Sequence, residues 1–292
     1  MTDVASRLGT VLPSAETLPG YLLRLSRPRF WFYLAGPVVV GVSYAAATPA
    51  ELFSPVAIVL FLYFTLPANV FLYGVNDVFD RDVDAANPKK EEKEVRYRGS
   101  RAVDAAILCS GLVGLPLFLV LPAPGQVALA TYYLLAVEYS APPLRFKTTP
   151  FLDSLSNGLY VLPGVVAYAA LAGEYPPALA VLGGWLWTMA MHTFSAIPDI
   201  EPDQAAGIET TATLLGESRT YAYCGLVWLA AAVAFALVDL RLGLLLGVYP
   251  VFLAGVALSD VAVDRAYWWF PVVNTLVGML LTMGGLWVML YG

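Results

Sequence analysis

The sequence predicts an all-α, multi-pass membrane protein of about nine transmembrane helices, arranged as two four-helix halves plus a ninth helix around a central cavity. Three observations carry this. Hydrophobic residues make up 59% of the 292 residues, and charged residues only 13%, about half of what a soluble domain carries. Mean hydropathy is +0.70. Two acidic motifs of matched spacing recur roughly 120 positions apart, near the ends of the second and sixth apolar runs.

Runs long enough to cross roughly 30 Å of hydrocarbon as helices lie at 30–48, 55–75, 102–121, 126–140, 151–172, 178–197, 220–238, 243–259 and 269–290. The run at 126–140 is short, but charge justifies it. With nine alternating spans, fifteen of the sixteen Lys and Arg residues fall on the side of the N-terminus, and only Arg241 falls opposite. The positive-inside rule makes that side cytoplasmic; an eight-span reading scatters the later charges. The first twenty-odd residues are polar and the first long apolar run has no small-residue cleavage site, so that run is expected to be a span and not a cleaved signal. Cys109 and Cys224 lie within spans as small packing residues, without metal-ligand or disulfide spacing. A net charge of −6 and a pI near 4.8 give no sign of nucleic-acid binding.

The longest cytoplasmic connection, about 76–101, alternates acid with base over Lys89-Lys90-Glu91-Glu92-Lys93-Glu94 after the turn signal Asn87-Pro88, which predicts an ordered cap. Residues 1–292 are expected to be a single domain, because a site shared between two halves cannot be divided.

The acidic motifs carry the chemistry. Asp77, Asp80 and Asp84 fall at i, i+3 and i+7 of a helix and share one face, while Asp199 and Asp203 repeat the i, i+4 spacing. Carboxylates packed this closely repel one another unless a cation lies between them, and converging oxygens suit a hard dication such as Mg²⁺. Both clusters are predicted at helix C-termini, whose dipole favours cations. A diphosphate would then be bridged to the aspartates by Mg²⁺, with Lys147, Arg145 and either Arg81 or Arg96 neutralising its remaining oxygens. Pro202, between Asp199 and Asp203, disfavours a regular helix there.

These residues resemble the UbiA superfamily of intramembrane prenyltransferases over most of the chain. Its N-D-x-x-D-x-x-x-D pattern is matched by Asn76, Asp77, Asp80 and Asp84, and its second D-x-x-x-D motif by Asp199 and Asp203. Its post-fourth-helix motif is matched by Tyr139-Ser140-Ala141-Pro142-Pro143-Leu144-Arg145-Phe146-Lys147. Pro202 stands where many members have Gly. The resemblance implies Mg²⁺-dependent transfer of a prenyl group from an isoprenyl diphosphate to a hydrophobic acceptor. It implies Asn76 and the five aspartates as metal ligands, the aspartates and Tyr139 in catalysis, and Asn76, Arg145 and Lys147 on the substrate.

Ionisation of an allylic diphosphate leaves positive charge on carbon, which aromatic faces in a dry cavity accommodate. Tyr73, one turn before Asn76, and Tyr139 are candidates for such faces or for ordinary packing. His192, two turns before Asp199, and Asn69, seven residues before Asn76, each have two readings: a place against the substrate or in its cavity wall, or a hydrogen bond between helices. Glu138 and Asp153 are either ion-pairing residues or bases that take a proton from the product cation.

The run Asn76 to Lys90, Arg96-Tyr97-Arg98-Gly99 and Ser26-Arg27-Pro28-Arg29-Phe30-Trp31 look most like the lycopene elongase subgroup. That resemblance implies dimethylallyl diphosphate as donor and lycopene as acceptor, on the route to C50, bacterioruberin-type carotenoids. The alternatives are a UbiA-type enzyme acting on a quinone or polar-lipid precursor, and a cation-coupled transporter. Against the transporter, such sites lie near the midplane in interrupted helices, whereas these acids lie at span ends beside a basic loop. The sequence gives no protein partner.

Overall fold

A computed structural model describes residues 13–14, 16–81, 97, 99–259 and 261–292. Most of the predicted cap, with Asp84, Lys89, Lys90, Lys93, Arg96 and Arg98, lies outside the described residues. Among those described there is no strand.

The helices are α1 (Leu18–Leu25), α2 (Trp31–Ala45), α3 (Pro55–Thr65), α4 (Pro67–Phe79), α5 (Arg101–Leu112), α6 (Ala123–Glu138), α7 (Leu152–Leu155), α8 (Leu162–Ala172), α9 (Ala178–Ser195), α10 (Ile200–Ala205), α11 (Thr211–Leu215), α12 (Glu217–Ala236), α13 (Leu240–Leu246), α14 (Val248–Ala257) and α15 (Val263–Tyr291). Proline and a hydroxyl mark several starts. Thr17 and Ser54 accept the Gly20 and Ala57 N–H groups at 3.3 and 3.4 Å, each with proline in the first helical turn.

Each predicted apolar run contains helix. Six helical segments are long and apolar enough to cross a membrane: 55–79, 101–119, 152–172, 217–236, 240–257 and 263–291. Three further helices occupy predicted spans but fall short of that combined length and hydropathy: α2, α6 and α9, of 15, 16 and 18 residues.

The second run is not one continuous helix. Pro67 has no N–H to continue the ladder, and the chain breaks at Leu66, with φ −121° and ψ −61°. The Asn69 amide repairs the break by donating to the Phe64 and Thr65 carbonyls, both at 2.9 Å. Asn69 is therefore a joint within one span, not a wall of the substrate cavity.

The apolar core falls into two clusters. One gathers buried side chains from Tyr21 to Ala167, the other from Ala190 to Val277. α2 joins them, packing on α3, α8 and the final helix α15. Its approach to α8 is backbone on backbone: a Cβ at Gly41 would lie 2.2 Å from the Gly164 carbonyl oxygen, and one at Gly164 would lie 2.8 Å from that of Pro37. Gly41→Ala is expected to destabilise the protein by about 1–3 kcal/mol through this overlap, read as a lower unfolding midpoint in detergent. Gly278→Ala, where a Cβ meets nothing within 4 Å, should leave the midpoint in place.

Candidate active site

The last turn of α4 presents Asn76 and Asp77, and Asp80 caps it, its N–H donating to the Asn76 carbonyl at 3.0 Å. The first acidic cluster thus sits at a helix C-terminus, as the spacing predicts. Asp77 is 2% exposed and pairs with Arg27, whose Nη2 lies 3.2 Å from Oδ1. A carboxylate buried this far requires such a partner. Arg27 has a left-handed backbone, φ 49°, between α1 and the turn Pro28–Phe30. That reversal sends its guanidinium back over the Tyr73 ring, 4.4 Å from the centroid.

The loop after α6 docks on the same helix end. Asn76 Nδ2 donates to Ser140 Oγ at 2.8 Å. Lys147 Nζ donates to Asp80 Oδ1, and Arg145 Nη2 stands 3.6 Å from that oxygen. The loop is shaped by Arg145, left-handed at φ 41°, and by the Lys147 N–H, which reaches the Tyr139 carbonyl at 3.0 Å. Burial pulls the Lys147 ammonium down to about 8, against the opposing influence of Asp77. Arg145 Nε is buried without a hydrogen bond. At the loop's root the Tyr139 hydroxyl lies 3.4 Å from His192 Nε2, the rings edge to face.

The second cluster departs from the predicted geometry. α9 ends at Ser195, a 3-10 turn covers Ile197–Asp199, and α10 begins at Ile200 with Asp199 as its N-cap residue. Asp199 and Asp203 therefore belong to the first turn of a new short helix and not to the C-terminus of a long one. The reason is local. Pro198 and Pro202 cannot continue the α9 ladder, whereas Pro202 as the third residue of α10 needs no N–H partner.

The turn before α2, the end of α4, the root of the loop after α6 and the end of α9 contribute to a cavity of about 300 Å³ whose wall includes Arg27, Tyr73, Asn76, Tyr139, Asn157 and His192, and to which Asp199 and Asp203 do not contribute. Tyr73, Asn76, Tyr139 and His192 are thus brought together as the sequence suggests. Asp77, Asp80, Arg145 and Lys147 form the charged cluster at the end of α4 beside it. Among the described residues no three His, Cys, Asp or Glu side chains form a metal cage by themselves, and Asp84 lies outside them. The donors present are carboxylate oxygens, the chemistry a hard cation takes.

A second chamber, about 560 Å³ and mainly apolar, runs between α2, α8, α9 and α15 and shares Tyr33, Tyr160 and Trp187 with the first. Sequence reasoning missed these three residues and the role of Arg27. The only signal for Arg27 was its place in the Ser26-Arg27-Pro28 run.

Neither carboxylate considered as a base lines the cavity. Asp153 is buried and accepts the Thr211 N–H at 2.9 Å and the Thr211 hydroxyl. Glu138 accepts the Leu144 N–H at 3.2 Å. Both hold loops.

A profile of the UbiA prenyltransferase family matches residues 34–270. The chain belongs to the UbiA prenyltransferase family. Among curated relatives, the lycopene elongase/hydratase of Haloarcula japonica is 64% identical over 287 residues, 98% of each chain. That of Haloferax volcanii is 65% identical over 272 residues, 93% of this chain and 90% of the relative. Among solved structures, a UbiA homologue from Archaeoglobus fulgidus bound to DMAPP and Mg²⁺ shares the fold. Its TM-score is 0.74 at 19% identity, over 91% of this chain and 98% of that one. This UbiA family member is a prenyltransferase embedded in the membrane by its apolar helices.

Asp153→Ala should strip two hydrogen bonds from Thr211 and lower stability by about 1–3 kcal/mol, measured as the unfolding midpoint in detergent. A loss of turnover with an unchanged midpoint would return Asp153 to the chemistry.

Proposed function

We propose that this enzyme transfers the dimethylallyl group of dimethylallyl diphosphate to an end of lycopene, an elongation on the route to C50 carotenoids. The observation that carries the reading is 64% identity, over 98% of both chains, to a lycopene elongase/hydratase. The chambers support it. A largely aromatic cavity that carries Arg27, Asn76, Asn157 and His192 in its wall, beside clustered charges, suits a diphosphate with a five-carbon tail. An adjoining chamber walled mainly by hydrocarbon suits a polyene without polar groups.

In this reading Asp77, Asp80, Asp84, Asp199 and Asp203, with the Asn76 amide oxygen, hold Mg²⁺. When bound, Mg²⁺ neutralises the diphosphate and so favours its departure. Lys147, Arg145 and Arg27 meet the remaining diphosphate oxygens. Tyr73, Tyr139, Tyr160 and Trp187 turn aromatic faces to the carbon that becomes positive, and the apolar surroundings exclude bulk water. Residues 1–292 act as one catalytic unit, with the N-terminus and the charged end of α4 facing the cytoplasm. Fifteen of the sixteen basic residues fall on that side in the nine-span topology.

Expression in a lycopene-accumulating host should yield C45 and C50 carotenoids; an unaltered lycopene pool beside efficient prenylation of a phenolic acid would overturn the acceptor. Asp77→Asn, Asp80→Asn, Asp199→Asn and Asp203→Asn should each abolish turnover in folded protein, and wild-type activity in any two at saturating Mg²⁺ would contradict the metal assignment. Lys147→Met should weaken diphosphate binding by about 1.5–3 kcal/mol through loss of a charge-assisted hydrogen bond, roughly a tenfold to hundredfold rise in KM. Unchanged KM and turnover would place Lys147 elsewhere.

A further inference from the structure

Prenyl transfer to an alkene leaves a tertiary cation that ends by shedding a proton, from an adjoining carbon or from a captured water, so the reaction needs a base. The two nearby carboxylates are committed elsewhere: Asp153 holds Thr211, and Glu138 holds the Leu144 N–H. Among the described residues of the cavity wall, the other titratable side chains are Arg27 and tyrosines, which keep their protons at neutral pH. His192, the one histidine of the chain, is the exception.

Its surroundings suit the task. The imidazole stands edge to face on Tyr139, ring centroids 5.9 Å apart, with Nε2 3.4 Å from the hydroxyl oxygen. That is long for a hydrogen bond, as catalytic contacts often are before a substrate closes them. The Asn157 amide also hydrogen-bonds the Tyr139 hydroxyl, and Asn157 is itself anchored by donating to the Asp153 carbonyl at 2.6 Å. An amide N–H on the phenol oxygen leaves the phenol's own proton to point at Nε2. Tyr139 adjoins Ser140, the partner of Asn76, and Trp187 of the aromatic junction precedes His192 by five residues on α9. The pair therefore lines the wall between the charged end of α4 and the apolar chamber.

We propose that His192 is the base of the reaction and takes the proton through the Tyr139 hydroxyl. The inference rests on the lycopene reading above. In the step, the allylic C–O bond breaks with its electron pair leaving on diphosphate, and the terminal π pair of the acceptor forms the new C–C bond, which puts the positive charge on a tertiary carbon. The proton then shed passes to Tyr139 Oη as the phenol's own proton passes to Nε2. The pair that bound it stays behind, as a new C=C bond when the proton leaves carbon and as an oxygen lone pair when it leaves water. The departing diphosphate takes the proton from the imidazolium, and the neutral ring is restored.

The test uses the full chain in lipid nanodiscs with lycopene, Mg²⁺ and dimethylallyl diphosphate carrying ¹⁸O in its bridging position. Two quantities are followed: C45 carotenoid formed, and ¹⁸O moved from the bridging to the non-bridging positions of the α-phosphate in recovered donor. The second counts cations that form and return to diphosphate. His192→Gln keeps a hydrogen-bonding side chain without a basic nitrogen, and Tyr139→Phe keeps the ring face without the hydroxyl. Each should lower C45 formation at least tenfold and raise ¹⁸O movement per C45 formed at least tenfold, because a cation that cannot shed its proton breaks the new C–C bond and reverts. A role confined to packing or donor binding lowers both quantities together and leaves their ratio in place. A ratio within twofold of that of the unaltered protein, in either folded variant, overturns the proposal, and C45 product from the unaltered protein then leaves the acceptor reading standing. If the unaltered protein forms no C45 product, both fall.

Discussion

Charge placed at the end of a membrane helix must be neutralised by whatever the fold brings within reach, and two pairings do this here. Asp77, nearly inaccessible, is met by Arg27 at 3.2 Å, and Asp80 is met by Lys147 and Arg145. The partners come from three separate stretches of chain: the turn before α2, the end of α4 and the loop after α6. The two stretches that supply the cations have their backbone bent to suit, left-handed at Arg27 and at Arg145. Removing Arg27 would weaken the compensation of the deeply buried Asp77 carboxylate, a destabilising change for such a pair. A magnesium diphosphate carries charges of both signs. It can exchange into these pairs, dication to carboxylate and phosphate to guanidinium or ammonium, bringing far less net charge to the membrane edge than the bare diphosphate would.

The cavity beside the charged cluster meets the apolar chamber at an aromatic neck. Tyr33, Tyr160 and Trp187 belong to both cavities, so a substrate whose ends differ in polarity can be handled in two media at once. The polar side tolerates leaving-group charge, and the dry side gives a carbocation little to react with except what the protein presents. Close packing of α2 on α8 through Gly41 and Gly164 holds one wall of this arrangement.

Much of this was legible in the sequence because it depends on local pattern. The apolar runs, the Asn76 to Asp84 motif and the Tyr139 to Lys147 motif are each contiguous, and their spacing states which residues share a helix face or a turn. The misreadings had local causes that only the chain path reveals. Asn69 lies on the same helix as Asn76, but it stands in the first turn after the break at Pro67, and its amide is taken by the Phe64 and Thr65 carbonyls, the hydrogen-bonding one of its two readings. Asp199 and Asp203 open α10 because prolines end the preceding helix. Arg27 and the neck residues were not legible as site residues. With aromatics at 13% of the chain, no single Tyr or Trp stands out, and the walls are assembled from helices distant in sequence.

The central claim is that the paired charges at the end of α4 seat an isoprenyl diphosphate whose departure is coupled to attack by a hydrocarbon from the apolar chamber. The most direct measurement is diphosphate release from purified protein in nanodiscs supplied with dimethylallyl diphosphate. Release that requires both Mg²⁺ and lycopene, one diphosphate for each prenyl unit gained by the carotenoid, is the predicted result. Release indifferent to lycopene, or dependent instead on a phenolic acid, would contradict the account.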